Sequence, residues 1–178
     1  MPDDAVLADQ RKRILTAMTK GHDTSIQQRI QRTYFACARF VRLRQLLRPT
    51  QKVLAIDVDA VVRKPLPELD NTFDFYIHHI SGRRARYLAG GLYLTGQSGG
   101  YDFLTCYAGL LQQHINADQL YWGLDQDLLL DLVPRYRWSD LPMEYIDWEM
   151  QERSYLWTAK GTRKNLDIFV NERRRYEL

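Results

Sequence analysis

The chain has 178 residues, of which 45% are hydrophobic and 26% charged, and its formal net charge at pH 7 is +3. These values are ordinary for a soluble globular protein. No apolar run reaches about 18 residues, so we expect no membrane span, and the acidic N-terminus lacks the apolar core of a secretory signal. Cys37 and Cys106 fall in apolar helical patterns, which predicts reduced core thiols in a cytoplasmic protein.

The charges are distributed unevenly along the chain. Residues 1–50 contain ten Lys or Arg and four Asp or Glu, residues 51–150 contain eight and fourteen, and residues 151–178 contain seven and four. An acidic centre between two basic arms suits a metal site flanked by cations that hold an anionic ligand. Ordinary solvated helix faces would give the same pattern.

The first predicted elements are helical. Residues 1–23 form a polar N-terminal segment with one short predicted helix, Ala8–Met18, and a single domain is expected over residues 24–178. Thr24 and Gln27 form a capping-box pair before a long helix that should end near residue 47. Its predicted buried stripe consists of Ile26, Ile30, Tyr34, Cys37 and Val41.

Predicted strands follow this helix. The apolar run before Asp57 predicts a buried parallel strand over residues 52–57. A second strand is expected at Asp74–His78, a turn at Ala89–Gly91, and a further strand at Leu92–Thr95.

Two more helices are expected after these strands, one over residues 101–115 and one that begins at Asp125. The side chains expected to face inward from the first of them are Phe103, Cys106, Leu110 and Leu111. Because strands and helices mix throughout the chain, the sequence predicts an α/β domain.

The triplet Asp57-Val58-Asp59 is the strongest chemical signal in the sequence. It comes directly after the predicted strand, where ligands gather in open α/β sheets. Two adjacent carboxylates repel each other unless a cation lies between them, and oxygen ligands favour Mg²⁺ or Mn²⁺. The alternative is an acidic strand end that is simply exposed to water.

Several patterns in co-linear order resemble nucleotide-sugar glycosyltransferases of the GT-A fold, in particular family 8-like bacterial and viral enzymes. The matching segments are the helix Arg32–Leu47, the block Val53–Asp59 with the apolar loop after it, Ala89–Leu94, Asp125–Leu129 and Trp157–Lys164. The resemblance covers about residues 30–165. It implies a GT-A-like mixed sheet flanked by helices and a hexosyltransferase-type activity on a nucleotide-diphosphate sugar, with a UDP-sugar favoured.

The resemblance also implies roles for residues that bind the donor. Asp57 and Asp59 would hold Mn²⁺ or Mg²⁺, with Asp59 the direct ligand and Asp57 shared with the ribose. The cations that would neutralise the diphosphate are Lys160, Arg163 and Lys164. Gly161 would let the backbone approach an oxygen closely. Alone, this Lys/Gly-rich segment would be interpreted as a solvated turn.

Further roles concern the donor sugar and the reaction. Arg39 would reach the donor from the long helix, and Gly90 and Gly91 would admit the sugar close to the backbone; a bulge or turn is the alternative for the glycines. Asp125 or Asp127 would contact the acceptor hydroxyl or act as the base. The alternative for these two carboxylates is helix capping.

The sequence departs from the family in two places. Only 56 residues precede Asp57, and they contain no convincing strand, whereas the family has a nucleoside-binding βαβ segment there. The nucleoside-binding part is therefore expected to be reduced, as in a minimal fold, a fragment, or a site completed by a homo-oligomer or a second chain. Thr158 and Ala159 stand where the family often has a histidine as the third metal ligand.

Two rival functions remain at this stage. A catalytically inactive GT-A-like module would bind a sugar nucleotide or a partner without turnover. A haloacid-dehalogenase-like phosphatase would use Asp57 as nucleophile, Asp59 as acid, Thr95 as phosphate contact and Lys160 as charge stabiliser. Nucleic acid is not an expected partner, because the basic arms lack interleaved aromatic residues.

Overall fold

The computed structural model describes residues 24–81, 86–159 and 161–176. The N-terminal segment with its predicted helix, and Lys160, lie outside these residues. The described chain is a mixed α/β protein that divides into two compact units. The helical unit comprises the described residues up to Arg48 together with Tyr101–Arg135, and the sheet unit comprises Pro49–Gly100 together with the residues from Tyr136 onward. The expectation of a single domain stays a prediction.

The helical unit contains α1 at Thr24–Leu46, all but the first three residues of α2 at Ser98–Asn116, and α3 at Leu124–Leu132, followed by a 3-10 turn at Val133–Arg135. The end of α1 lies within one residue of the predicted position. Its buried side chains include Tyr34, Cys37, Phe40 and Val41. Most of the predicted stripe is therefore confirmed; the side chains of residues 24–27, and so the capping box and Ile26, lie outside the described ones.

The prediction that Cys106 faces the core is wrong, because its side chain is exposed. The buried apolar side chains of α2 are Phe103, Leu104, Tyr107, Ala108, Leu111 and Ile115. At about 100° per residue the centre of this stripe lies at Leu111 and near Leu104, which leaves Cys106 on the opposite side of the helix. None of the helices in the described part of the chain has the length and apolar character that a membrane crossing requires.

The sheet unit contains a small mixed sheet with the strand order β1-β4-β3-β5. Its strands are β1 at Lys52–Ile56, β3 at Phe75–Ile80, β4 at Arg86–Thr95 and β5 at Trp138–Asp140. β1 pairs antiparallel with β4, β4 pairs antiparallel with β3, and β5 runs parallel to β3. The predicted buried parallel strand at residues 52–57 is therefore wrong in its pairing: β1 is antiparallel, half-buried, and an edge strand among the described strands.

The predicted turn at Ala89–Gly91 is also wrong, because β4 runs through these residues without reversing. Gly91 pairs with Ile56 of β1. On the other side, the register with β3 shifts, so that Ile77 faces Leu92 and His78 faces Leu88. Residues 89–91 are thus an insertion in β4, a bulge of the kind that glycine marks inside strands.

A second, two-stranded sheet joins β2 at Val61–Val62 to β6 at Leu156–Trp157. Beyond it the chain forms a 3-10 helix at Gly161–Asn165, which we call the basic turn, and the helix α4 at Asp167–Arg174. One apolar cluster connects these pieces and consists of Val61, Met150, Trp157, Ala159 and Phe169. The segment directly after β1 and the C-terminal segment therefore pack against each other.

Candidate functional site: an acidic turn and a basic turn

The acidic turn comprises residues 57–60 and begins where β1 ends. The Ala60 N–H donates to the Asp57 carbonyl at 3.0 Å, which closes a β-turn. Asp57 is exposed, and the side chain of Val58 is fully exposed between the two acids. Val58 therefore contributes no apolar burial that would hold the turn in place, and contacts of the neighbouring residues have to do so.

The carboxylate of Asp57 lies directly against the backbone of Gly90. A Cβ at position 90 would come within 2.6 Å of both carboxylate oxygens. A Cβ at Gly91 would point to the other face, 2.7 Å from Cδ1 of Ile146 and 3.1 Å from Cβ of His78. The two glycines therefore admit the protein's own side chains, one on each face of the bulge. The structure brings Asp57 and Gly90 together.

The carboxylate of Asp59 forms an ion pair with the ammonium group of Lys164 in the basic turn. The two side chains are 32% and 43% exposed, respectively, so water reaches this contact. Gly161 opens the basic turn with a φ of 59°, a left-handed conformation that favours glycine. One carboxylate of the acidic turn thus already holds a cation supplied by the basic turn.

Arg163 is exposed on the same 3-10 helix, and its guanidinium donates to the Trp148 carbonyl at 3.2 Å. The Trp148 ring lies 5.5 Å from the ring of His78. Burial lowers the pKa of His78, while Asp140 acts in the opposite direction. Trp148 therefore contacts Arg163 through its backbone carbonyl and His78 through its ring.

Arg63 is the residue that ties this region together. Its guanidinium is 5% exposed, donates through Nε to Glu172 at 2.7 Å, and lies 3.8 Å from the centre of the Trp157 ring. Its remaining donors reach the side chain of Glu152 and the backbone carbonyls of residues 151, 152 and 154. Because Arg63 follows the acidic turn and Glu172 lies on α4, their ion pair fixes the segments on either side of the Asp59–Lys164 contact.

Asp147 organises the loop that these donors reach. Its buried carboxylate accepts hydrogen bonds from the N–H groups of Glu149 and Gln151 and from the hydroxyl of Ser154, at 2.6–2.7 Å. Sequence reasoning missed both this carboxylate and the Arg63–Glu172 pair. A charged residue in a loop usually faces water, and no local pattern marks those that are buried.

The described residues contain no group of three His, Cys, Asp or Glu side chains placed to hold a metal ion. Asp57 and Asp59 nevertheless fit Mg²⁺ or Mn²⁺, which proteins often bind through one or two carboxylates, with phosphate and water in the other positions. The cation already paired with Asp59 is consistent with this fit. The remaining ligands would then come from the bound phosphate and from water.

Three predicted site residues, Arg39, Asp125 and Asp127, belong to the helical unit. Burial raises the pKa of Cys37 to about 12, with a further contribution from Asp125 and an opposing one from Arg39. The hydroxyl of Tyr107 donates to the Asp125 carbonyl at 2.6 Å. Arg39 and Asp125 therefore act on the same buried groups, and Asp125 is itself buried.

Asp127, unlike Asp125, is exposed. Burial raises the pKa of Tyr121, and the charge of Asp127 and a hydrogen bond to Asp127 raise it further. Both carboxylates lie in the first turn of α3, where the helix dipole favours negative charge. Gly123 precedes the helix, and no side chain caps its N-terminus. Neither carboxylate is therefore the N-cap of α3.

Comparisons with known proteins give no match: no family model, no curated protein and no solved structure is similar to this chain.

Proposed function

We propose that the protein binds a metal complex of a nucleoside-diphosphate sugar and transfers the sugar to an acceptor hydroxyl. The observation that carries this proposal is the contact between Asp59 of the acidic turn and Lys164 of the basic turn. A leaving diphosphate needs cations where its charge develops. Asp59 with Asp57 would hold Mn²⁺ or Mg²⁺ on one side, and the basic turn would face the phosphates from the other.

The remaining roles follow from the chemistry of glycosyl transfer. The bond between the anomeric carbon and the diphosphate oxygen breaks, and the electron pair leaves with the diphosphate. The acceptor hydroxyl forms the new bond to carbon, and a carboxylate takes its proton. Of the two carboxylates that the resemblance implies for this role, Asp127 is exposed and Asp125 is buried.

We further propose that residues 24–178 form a GT-A-like fold and that Arg163, Gly161 and Lys160 complete the diphosphate clamp. Support comes from the basic turn, in which Gly161 and Arg163 are exposed beside Lys164. The contact between Asp57 and Gly90 also agrees with the resemblance, because it brings the proposed metal ligand after β1 against the glycines of β4.

The second candidate is a GT-A-like module that binds a nucleotide or a partner without turnover. The observation that favours it is the chain before β1: within the described residues it consists of α1 and no strand. A nucleoside pocket would then be completed by another copy of the chain or by a second protein.

The phosphatase alternative is less compatible with the geometry. The hydroxyl of Thr95 is buried and donates to the backbone carbonyls of Phe73 and Asp74 at 2.8 and 2.9 Å, so it is engaged in the structure. In addition, the residues after Leu166 form α4 rather than the acidic strand end which that reaction requires. We therefore do not adopt this function.

The test is calorimetric titration of UDP and of GDP, each with and without Mn²⁺, into the native chain and into the Asp59→Asn variant. We expect binding that requires Mn²⁺ in the native chain and disappears in the variant. Equal binding in both would remove Asp59 from the site. Lys160→Ala should weaken UDP binding more than uridine binding, and an equal loss for both would contradict its place in the clamp.

Turnover separates the two candidates. Release of UDP from a UDP-sugar in the presence of Mn²⁺, abolished by Asp59→Asn, supports the transferase. Binding of the same UDP-sugar without release of UDP, even with a panel of sugar acceptors, supports the binding module.

A further inference from the structure

We infer that Lys164 is an exchangeable counter-ion: its ammonium group occupies Asp59 in the absence of ligand, competes with the incoming divalent cation, and moves to the diphosphate when the metal complex binds. This inference rests on the proposed function and adds to it an order of events at the site. Binding of the metal and of the diphosphate would then be coupled through one side chain.

The competition follows from the contact itself. The Lys164 ammonium lies directly on Oδ2 of Asp59, and a cation that coordinates this oxygen has to displace it. A divalent ion at the same distance has twice the Coulomb attraction of an ammonium group. However, a divalent ion has to give up water ligands to coordinate Asp59. Without nucleotide, its gain in binding free energy over the ammonium group is therefore smaller than this ratio suggests.

The properties of the contact also permit exchange. A half-exposed ion pair contributes at most about 1 kcal/mol, because water and salt screen it, and both side chains here are about one-third exposed or more. A lysine has a flexible four-carbon stem, so its ammonium can move while its backbone stays in place. In this chain the backbone of the basic turn is followed by α4, which Phe169 and the buried Arg63–Glu172 pair attach to the rest of the sheet unit.

If Lys164 exchanges in this way, its replacement should change the affinities for Mn²⁺ and for UDP in opposite directions. A lysine that only binds phosphate would not have this effect. Removal of the ammonium should free Asp59 and tighten the binding of Mn²⁺ alone. The same change should weaken the binding of UDP at saturating Mn²⁺, because a cation near the diphosphate is lost. A lysine that only stabilises the fold would shift neither affinity in this manner.

The experiment is a titration of Mn²⁺ into the full chain without nucleotide, in which electron paramagnetic resonance measures the concentration of free Mn²⁺. The variants are Lys164→Gln and Lys164→Met, with Arg163→Gln as the matched control. Arg163 carries the same charge on the same turn, but its guanidinium donates to a backbone carbonyl rather than to Asp59. Thermal unfolding of each variant verifies that it is folded.

For both Lys164 variants we expect Mn²⁺ to bind about fivefold more tightly than to the native chain, the factor that corresponds to an ion pair of about 1 kcal/mol. Arg163→Gln should bind Mn²⁺ as the native chain does. All three variants should bind UDP more weakly at saturating Mn²⁺. Two variants with different side chains keep the test valid if one of them fails to fold.

The outcomes distinguish this inference from the proposed function. Unchanged Mn²⁺ affinity in the Lys164 variants, with Mn²⁺-dependent UDP binding intact in the native chain, overturns exchange and leaves the function standing. Equal tightening in the Arg163 variant shows a general charge effect and also overturns exchange. Tighter Mn²⁺ binding without any nucleotide binding keeps only the competition between Lys164 and the metal ion; it overturns the move to the diphosphate and removes the sugar-nucleotide function. Absence of Mn²⁺ binding in every chain overturns exchange, and absence of Mn²⁺-dependent UDP binding in the native chain as well overturns both.

Discussion

Replacement of Arg63 by alanine should destabilise the sheet unit more than any other single loss of charge near the site. Removal of one partner from a buried ion pair costs about 3–5 kcal/mol, because the other charge stays buried, and Arg63 and Glu172 are 5% and 6% exposed. Glu172 retains Arg175, at 2.8 Å, but that side chain is 72% exposed and compensates weakly. We therefore expect a loss of about 3 kcal/mol, the lower end of this range.

The assay is equilibrium unfolding in urea, followed by tryptophan fluorescence. The four tryptophans comprise Trp122 in the helical unit and three in the sheet unit. Trp122 is exposed, so Trp122→Phe provides a background in which the signal reports the sheet unit alone. Arg175→Ala is the matched control and should cost less than about 1 kcal/mol. An equal loss of free energy of unfolding in the Arg63 and Arg175 variants would refute a special role for the buried pair.

Three further predictions test individual contacts. Gly90→Ala should reduce Mn²⁺-dependent UDP binding by about tenfold or more, because its Cβ displaces the Asp57 carboxylate. The control is Gly109→Ala, which has open space around it and should leave UDP binding unchanged. This control should also raise helix stability by about 1 kcal/mol. Ellman's reagent at pH 8 should modify the exposed Cys106 quickly and Cys37, with its pKa of about 12, only after unfolding; two fast thiols would contradict this. Because burial lowers the pKa of His78, the unfolded chain takes up this proton first, and stability should fall as the pH drops below about 6.5, by at most about 1.4 kcal/mol per pH unit. Urea titrations at several pH values should show a smaller slope for His78→Phe, and identical slopes would refute the assignment.

The helices were predictable because their information is local. The spacing of Tyr34, Cys37 and Val41 marks the buried side of α1, and the Arg48-Pro49 dipeptide marks its end. In α2 the prediction for Cys106 failed, because the buried stripe runs through Leu104, Tyr107 and Ala108 instead.

The sheet was less predictable, because pairing depends on residues distant in the sequence. An apolar run such as β1 does not specify whether its neighbour is parallel or antiparallel, or whether both of its faces are covered. The glycines at 90 and 91 look like a turn in the sequence, but in the structure their missing side chains leave space for Asp57 on one face and Ile146 on the other. The sequence contains no signal for these contacts.

The acidic and basic turns were expected to meet because of the resemblance, since no local pattern links two residues as far apart as Asp59 and Lys164. The residues that follow each turn are also joined, by the ion pair of Arg63 with Glu172, 109 residues apart. This pair is buried, whereas the Asp59–Lys164 pair is half-exposed. The difference in burial predicts different roles for the two ion pairs. The buried pair holds the segments in place at all times, whereas the exposed pair can be exchanged for a ligand at small cost. Lys164→Gln should therefore change the free energy of unfolding by less than about 1 kcal/mol, and a loss as large as that of Arg63→Ala would mean that the Asp59 contact holds the fold together instead of serving the site.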